Sequence, residues 1–225
     1  MDADDISTST RIYEQIEYMN KTGADFIFSG VKVIDENGHE LYSTDLNEYN
    51  EITTRNQFEY GNISKHPTWM LKREIYLNLE GYRDIKYCED FDFVLRSLSK
   101  NYKVMKMEGF VLNYRIRKSS ISRKFSLEQY LNSNGLLKLY NKNQIFDTEL
   151  VQNLMKDSYN KASEIENSKF QKGDQIFSDG VRILKDGSSI VGGFKIVKSL
   201  TYSKYIRQRF YRTIVFKFHR KFSRK

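Results

Sequence analysis

The chain has 225 residues, of which 39% are hydrophobic and 14% aromatic, so it can bury a sizeable core and form one domain with an added helical segment. Its single cysteine, Cys88, excludes an internal disulfide and a multi-cysteine zinc site, and no apolar run approaches the length of a membrane span. The net charge of +8 arises at the C-terminus, because residues 204–225 hold nine Lys or Arg and no acid, whereas residues 1–203 hold 28 basic and 29 acidic residues. The body of the protein is therefore not a polyanion binder by charge.

An acidic cluster opens the chain, with carboxylates at Asp2, Asp4 and Asp5. Carboxylates at alternate positions offer oxygen ligands to a hard divalent cation such as Mg²⁺ or Mn²⁺, whose other ligands can be waters and substrate phosphates. Acidic residues are also common at solvated chain starts, and Ser7 and Thr10 just downstream are ordinary helix-start residues. The cluster alone therefore leaves a metal site and a solvated cap both open.

The first half of the chain predicts a helix followed by a hairpin. Apolar residues recur at helical spacing over about residues 9–22, and Gly23 follows where a helix would stop. Residues 25–34 are rich in aromatic and β-branched side chains and precede an Asp-Glu-Asn-Gly turn, which predicts a strand paired with a second one near residues 39–42. Residues 44–64 are polar with one short helical candidate, which predicts a mobile loop region over the working face.

The next segments predict a strand at residues 68–71, a short helix at 73–79, an amphipathic helix at 88–98 and a strand at 104–114. The helix predicted at 88–98 carries Glu89 and Asp90 in its first turn. Acids in a first turn are favoured by the helix dipole whether or not they belong to an active site, so this pair alone does not indicate one.

From residue 126 onward the pattern predicts helices at 126–141, 147–171 and 174–185 with polar outer faces. Within the basic tail, apolar residues recur at four-residue steps, namely Ile206, Phe210, Ile214, Phe218 and Phe222.

A basic helix with an apolar stripe is typical of helices that lie in a membrane interface, where each Lys or Arg near an anionic leaflet contributes about 1 kcal/mol. We therefore expect residues 204–225 to bind an anionic membrane surface. A helix docked on the protein body is one alternative. A nucleic-acid tail is another, but no base-reading module accompanies it, so we expect no nucleic-acid partner.

Short motifs follow one another over residues 1–122: Met-Asp-Ala-Asp-Asp-Ile, then Arg11 and Gln15 in the first helix, His66-Pro67-Thr68, Arg73, Glu80-Gly81-Tyr82-Arg83, Glu89-Asp90-Phe91-Asp92, Leu95-Arg96, Tyr114-Arg115 and Ser119-Ser120-Ile121-Ser122. In order and spacing they resemble the second half of a family 2 glycosyltransferase with the GT-A fold. Each motif is common, and it is their succession over a little over half of the chain that is specific.

The resemblance implies transfer of a sugar from a nucleotide-diphosphate donor to an acceptor hydroxyl, with inversion at the anomeric carbon. Asp2 and Asp4 would then bind Mg²⁺ or Mn²⁺, with Asp4 the more direct ligand, and Asp5 would contact the donor or order the loop. Asp90 would be the general base, and Glu89 would orient the acceptor.

Three further residues are assigned by the same resemblance. His66 and Trp69 fall on the acceptor side of the family's pattern, where they would bind sugar by hydrogen bonding and stacking, although a lone histidine is as often structural. Arg115 would face the donor phosphates.

The resemblance also implies an α/β fold, an incomplete GT-A (Rossmann-like nucleotide-diphospho-sugar transferase) domain over residues 1–124. A helical extension at 125–193 and a basic amphipathic tail at 194–225 would follow. The family's nucleotide-binding half, roughly 80 to 100 residues, has no counterpart here, so we expect a fragment or a partner chain that supplies it.

We thus expect the acceptor-side portion of an inverting glycosyltransferase for a surface polysaccharide or glycolipid, with a saccharide or lipid-linked acceptor, at the cytoplasmic face of the plasma membrane. One alternative is a catalytically inactive remnant or acceptor-binding protein without a donor site. Another is a phosphotransferase with an Asp-x-Asp nucleophile, which the Glu89-Asp90 context fits less well.

Overall fold

The computed structural model describes residues 2–116, 125–185 and 187–222, with the backbone alone for residues 185 and 216–222. The motif at residues 119–122 lies outside these ranges. Within them the chain forms a mixed α/β fold followed by helices, as the sequence predicted.

The strands form one sheet in the order β1-β5-β2-β3, with β4 also paired to β2. Their bounds are Ile6–Ser7 for β1, Phe26–Ile34 for β2, Glu40–Ser43 for β3, Met70–Leu71 for β4 and Val104–Arg115 for β5. The two long strands, β2 and β5, run parallel, whereas the other pairs are antiparallel. The predicted hairpin of β2 and β3 is thereby confirmed.

The helices of the first half are α1 (Arg11–Thr22), α2 (Glu51–Phe58), a 3-10 turn (His66–Thr68), α3 (Arg73–Asn78) and α4 (Glu89–Ser99). Those of the second half are α5 (Ser126–Asn141), α6 (Thr148–Lys161), α7 (Glu164–Lys185), α8 (Ser189–Ser199) and α9 (Lys204–Phe222). The predicted helices near residues 9–22, 73–79, 88–98 and 126–141 are confirmed.

The end predicted for the helix at residues 147–171 is wrong. The helix ends at Lys161, the break lies at Ala162 and Ser163, and α7 then runs through Gly173. Ser163 begins the new helix by accepting a hydrogen bond from the Glu166 backbone N–H, the arrangement of a Ser-x-x-Glu start. Gly173 is retained within α7 because α9 passes close to it: a Cβ there would lie 2.8 Å from Ile206 Cγ1.

The tail predicted to begin at residue 194 starts inside α8, so the predicted boundary at 193/194 divides a helix. The chain turns after Ser199, and Ser203 then starts α9 by accepting from the Tyr205 backbone N–H. Ile206, the first member of the predicted apolar stripe, is 1% exposed and packs in a cluster with Phe170. The beginning of α9 is therefore docked on the protein body.

The main core lies between the sheet and α4. Phe91 and Phe93 of α4 pack with Phe26 and Phe28 of β2, and α5 closes the cluster with residues such as Leu136. Only a few residues separate the end of α4 from the start of β5, so α4 runs back against the direction of the parallel strands. The first turn of α4 consequently points toward the carboxyl edge of β2 and β5, the edge at which α/β sheets usually bind ligands.

Candidate active site

The acidic segment Asp2–Asp5 lies at the carboxyl end of β5, where β1 pairs with that strand. Asp5 is nearly buried, and its Oδ1 accepts a hydrogen bond of 3.0 Å from the Arg115 backbone N–H. Burial raises the pKa of Asp5, whereas hydrogen bonds from the backbone N–H groups of Arg115 and Asp2 act in the opposite direction. Asp5 thus orders the acidic segment, and its contact with a donor stays a prediction.

The Arg115 side chain connects the acidic segment to the turn between β2 and β3. Its Nε donates to the Asp4 carbonyl oxygen at 2.9 Å, and its Nη1 donates to the carbonyl oxygens of Asp35 at 2.8 Å and Glu36 at 3.0 Å. These contacts give Arg115 a positioning role. Its predicted position against donor phosphates remains a prediction.

The carboxylates of Asp2 and Asp4 are oxygen ligands of the kind that divalent cations bind, but they do not by themselves make a complete metal site. Asp2 is exposed and Asp4 partly exposed, and across residues 2–116, 125–185 and 187–222 no three His, Cys, Asp or Glu side chains are grouped to hold a metal ion. After burial, the charges of Asp2, Asp5 and Asp4 raise the pKa of Tyr114, which places this negative charge around its hydroxyl. Two carboxylates suit Mg²⁺ or Mn²⁺ when substrate phosphates and waters supply the other oxygens.

Helix α1 joins the acidic segment to the His66–Thr68 turn through a buried polar face. Arg11 Nη2 donates to the Pro67 carbonyl oxygen at 2.7 Å, Gln15 Nε2 donates to the Thr68 carbonyl oxygen at 2.7 Å, and Arg11 Nε donates to Gln15 Oε1 at 3.0 Å. Burial lowers the pKa of Arg11, and the negative charge of Asp5 counteracts this effect. The two predicted groups of site residues are thus held by the same helix.

His66 and Trp69 lie together, and their binding of an acceptor sugar stays a prediction. Their rings meet edge to face with centroids 4.7 Å apart, and His66 Nε2 lies 2.9 Å from the Tyr82 hydroxyl, within hydrogen-bond distance. Trp69 also packs against Phe26 of the core, and its Nε1 is buried without a hydrogen-bond partner among the described residues. A buried N–H left unpaired costs about 1–3 kcal/mol, so an oxygen of a water or a ligand that reached it would stabilise this region.

Asp90 stands in the first turn of α4, close to the charge of His66. Burial is the largest influence and raises the pKa of Asp90, while a 2.6 Å hydrogen bond from the Phe91 backbone N–H and the positive charge of protonated His66 lower it. The neighbouring Glu89, which is exposed, raises it further. A carboxylate with a raised pKa is a better proton acceptor than an ordinary one.

Lys65 faces the same carboxylate and was not identified from the sequence. It is exposed over much of its surface, yet it also lines a cavity of about 210 Å³ together with Gly30 and Lys106. Burial of the ammonium lowers the pKa of Lys65, and the charge of Asp90 counteracts this effect. Its position directly before the His66–Thr68 turn was the available signal.

Asp92, two residues after Asp90, has a structural role. It is completely buried and accepts hydrogen bonds from Arg96 Nε at 2.7 Å and from Arg83 Nε at 3.0 Å. Arg96 also donates to the carbonyl oxygens of Leu79 and Gly81 at 2.6 and 2.8 Å. The spacing of Asp92 and Arg96 by four residues on one helix was the sequence signal for this pair.

A larger cavity of about 610 Å³ lies between α5 and α9 and contains none of the predicted site residues. Tyr60, Tyr130 and Arg212 line it, and Arg212 Nη2 donates to the Tyr60 carbonyl oxygen at 3.0 Å. The candidate chemistry therefore lies at the carboxyl edge of the sheet rather than in the larger cavity.

Comparison with known proteins links part of the chain to glycosyltransferases. The chain is 34% identical over 117 residues to an uncharacterized glycosyltransferase of Methanocaldococcus jannaschii, a match that covers 52% of this chain and 40% of that protein. It is 32% identical over 132 residues to the O-antigen biosynthesis glycosyltransferase WbnJ of Escherichia coli, covering 58% of this chain and 51% of that protein. The chain thus matches about half the length of these curated relatives or less, and no protein-family model matches it. Over about half of its length, this chain is related in sequence to glycosyltransferases.

Proposed function

We propose that this chain is the acceptor-side portion of an inverting family 2 glycosyltransferase that acts in the synthesis of a cell-surface polysaccharide or glycolipid. The proposal depends mainly on the environment of Asp90. Its partly buried carboxylate lies in the first turn of α4, near the charge of His66, and its pKa is raised. The two glycosyltransferase relatives, one of them named for O-antigen biosynthesis, support the reaction class and the product class.

In the proposed reaction, Asp90 accepts the proton of an acceptor hydroxyl. The hydroxyl oxygen forms a bond to the anomeric carbon of the donor as the bond from that carbon to the diphosphate oxygen breaks, and the nucleoside diphosphate leaves from the opposite face. The raised pKa of Asp90 increases its basicity, and general-base catalysis of this kind is worth about 10²- to 10⁴-fold in rate.

In this proposal His66 and Trp69 hold the acceptor beside Asp90 by hydrogen bonding and ring stacking. Glu89, exposed in the same helical turn, orients the acceptor. The mutual packing of the His66 and Trp69 rings gives this side a fixed shape before the acceptor arrives.

Asp2 and Asp4 would hold Mg²⁺ or Mn²⁺, which neutralises the charge of the departing diphosphate when it is bound. Asp5 and Arg115 keep this acidic segment against β5, so that the carboxylates are presented at the carboxyl edge of the sheet. Further oxygens would come from the donor phosphates and from waters.

We further propose that the nucleotide-binding residues are supplied by sequence outside this chain or by a partner. The matched segments span 40% and 51% of the relatives, which supports this view. The alternative is an inactive remnant or acceptor-binding protein. Failure of the native species to bind any nucleotide-diphosphate sugar in the presence of Mn²⁺ would favour that alternative.

The test is transfer by the complete enzyme carrying Asp90→Asn, assayed against a panel of nucleotide-diphosphate sugars. We expect turnover to fall by about 10²- to 10⁴-fold while donor affinity, measured by calorimetry with Mn²⁺, stays unchanged. Asp84→Asn, which alters an exposed acid in the preceding loop, is the matched control and should retain activity. Undiminished turnover in Asp90→Asn would contradict the assignment.

We also propose that the protein works at the inner face of the plasma membrane. None of the helices within the described ranges combines the length and apolar character needed to span a bilayer. Ile206 is docked on the protein body and therefore cannot take part in the predicted membrane contact through residues 204–225, whereas Ile214 is 40% exposed.

A further inference from the structure

Helix α8 presents an apolar face to solvent that none of the other described residues covers. Ile190 is 88% exposed, Phe194 70% and Val197 65%, and the three stand at positions i, i+4 and i+7 of the helix. At 100° per residue they form one stripe, with Val191, 51% exposed, beside it. Contiguous exposed apolar surface of this kind marks an interaction site in a protein that is otherwise well packed.

The opposite side of α8 explains why this face turns outward. Gly192 packs against α7, where a Cβ would lie 2.7 Å from Leu184 Cγ and 2.8 Å from the Gly180 carbonyl oxygen. A Cβ on Gly180 would lie 2.9 Å from the Gly192 carbonyl oxygen in turn. The two helices are thus in backbone contact along their glycine sides, so α8 has a fixed orientation.

The charged residues of α8 are of one sign. Lys198 shares the exposed face and Lys195 lies at its border, and the sequence after Asp186 contains eleven Lys or Arg residues and no Asp or Glu. On the neighbouring α7, Asp179 is paired with Arg182 at 3.3 Å. An apolar stripe bordered by lysine is complementary to a surface that offers hydrocarbon beneath a layer of negative charge.

We infer that α8 is the membrane-contacting element of this protein, and that it lies in the headgroup layer of an anionic bilayer with Ile190, Phe194 and Val197 inserted. Lys195 and Lys198 contact lipid phosphates from the border of the inserted stripe. The inference is independent of sugar transfer, because it concerns binding alone. It moves the main apolar contact from the stripe predicted within residues 204–225 to a different helix.

Vesicle flotation tests the inference with phosphatidylcholine vesicles and with vesicles of phosphatidylcholine and phosphatidylglycerol. The full chain should float with the anionic vesicles only, and the double variant Ile190→Ser with Phe194→Ser should lower the partition coefficient at least about tenfold. The double variant Lys195→Glu with Lys198→Glu should also lower the partition coefficient onto anionic vesicles, and the decrease should be larger at low salt than at high salt. Circular dichroism should show the same helix content in all variants, because every altered side chain is at least partly exposed.

The matched control is Ile165→Ser, which removes another exposed isoleucine, 68% exposed against 88% for Ile190, at the far end of α7. It lies about 22 Å along the helix from Gly180 and should float like the unaltered chain. Equal flotation of the Ile190 and Phe194 double variant, or no flotation of the unaltered chain, would overturn the inference. The inference would also be overturned if the unaltered chain were a dimer and the Ile190 and Phe194 double variant a monomer with unchanged flotation. The stripe would then join two copies of the chain.

Discussion

Replacement of Asp92 by asparagine should destabilise the fold far more than its conservative chemistry suggests. The Asp92 carboxylate is completely buried, and the Arg96 side chain is 3% exposed. Asparagine preserves the shape but removes the charge that balances Arg96 and the partly buried Arg83. The change would leave a guanidinium inside the protein without its counterion.

Breaking a buried ion pair on one side typically costs 3–5 kcal/mol, and we expect Asp92→Asn to lie near the lower end, about 3 kcal/mol, because one acceptor oxygen remains. For a domain of this size each kcal/mol lowers Tm by about 2–4 °C, which gives a decrease of about 6–12 °C. Urea unfolding followed by circular dichroism measures the free energy, and calorimetry measures Tm.

A matched control exists on α6, where Asp157 and Lys161 form an ion pair with the same four-residue spacing but with both side chains about half exposed. Asp157→Asn should cost less than about 0.5 kcal/mol, because solvent screens an exposed pair. If the two substitutions lowered stability equally, the argument that burial sets the value of the Asp92 interactions would be refuted.

Three further changes probe other contacts. Burial raises the pKa of Asp90 in the folded protein, so its ionisation lowers the stability of the fold as the pH rises through that pKa. Asp90→Asn removes this loss and should raise Tm at pH 7. The gain should vanish below the unfolded pKa of about 4, where the carboxyl is protonated in both states. Gln15→Ala leaves the buried Thr68 carbonyl without its side-chain donor and should cost about 1–3 kcal/mol in urea unfolding, and no loss would contradict the role given to α1. Ile206→Ala should cost about 2–5 kcal/mol, whereas a loss near zero in the same assay would show that α9 is not docked.

The order of strands and helices followed from local patterns because most elements are regular. The β2–β3 hairpin has an Asp-Glu-Asn-Gly turn between two strands of alternating or β-branched residues, and such signals lie within a few residues of each other. The observed break at Ser163 lies inside the helix predicted at 147–171, whereas the predicted break fell at residues 172–173. Gly173 allows the close approach of Ile206 in α9, a contact between residues far apart in sequence that no local pattern contains.

The face that α1 buries could not be read from periodicity. Ile12 and Ile16 suggested an apolar stripe, yet both are exposed, while Arg11 and Gln15 are buried. Polar side chains are buried where backbone carbonyls need donors, and the carbonyls concerned belong to the turn at residues 66–68.

The acidic residues of α4 also have roles that the sequence pattern alone does not predict. Glu89, Asp90 and Asp92 look alike in sequence, and three different environments separate them: Glu89 is exposed, Asp90 is partly buried beside a histidine, and Asp92 is neutralised by two arginines. The resemblance to a known family selected Asp90 for chemistry, which charge patterns alone did not.

The contacts of α1 also limit how the candidate site can vary. Because Arg11 and Gln15 clamp the turn from one rigid helix, the gap between the acidic segment and that turn is set by helix geometry and not by loop length. Shortening or lengthening a loop would leave this gap unchanged. Differences in acceptor size would then have to be accommodated by the side chains that line the site, so variants with new specificity are best sought among those side chains and not among insertions or deletions in the loops.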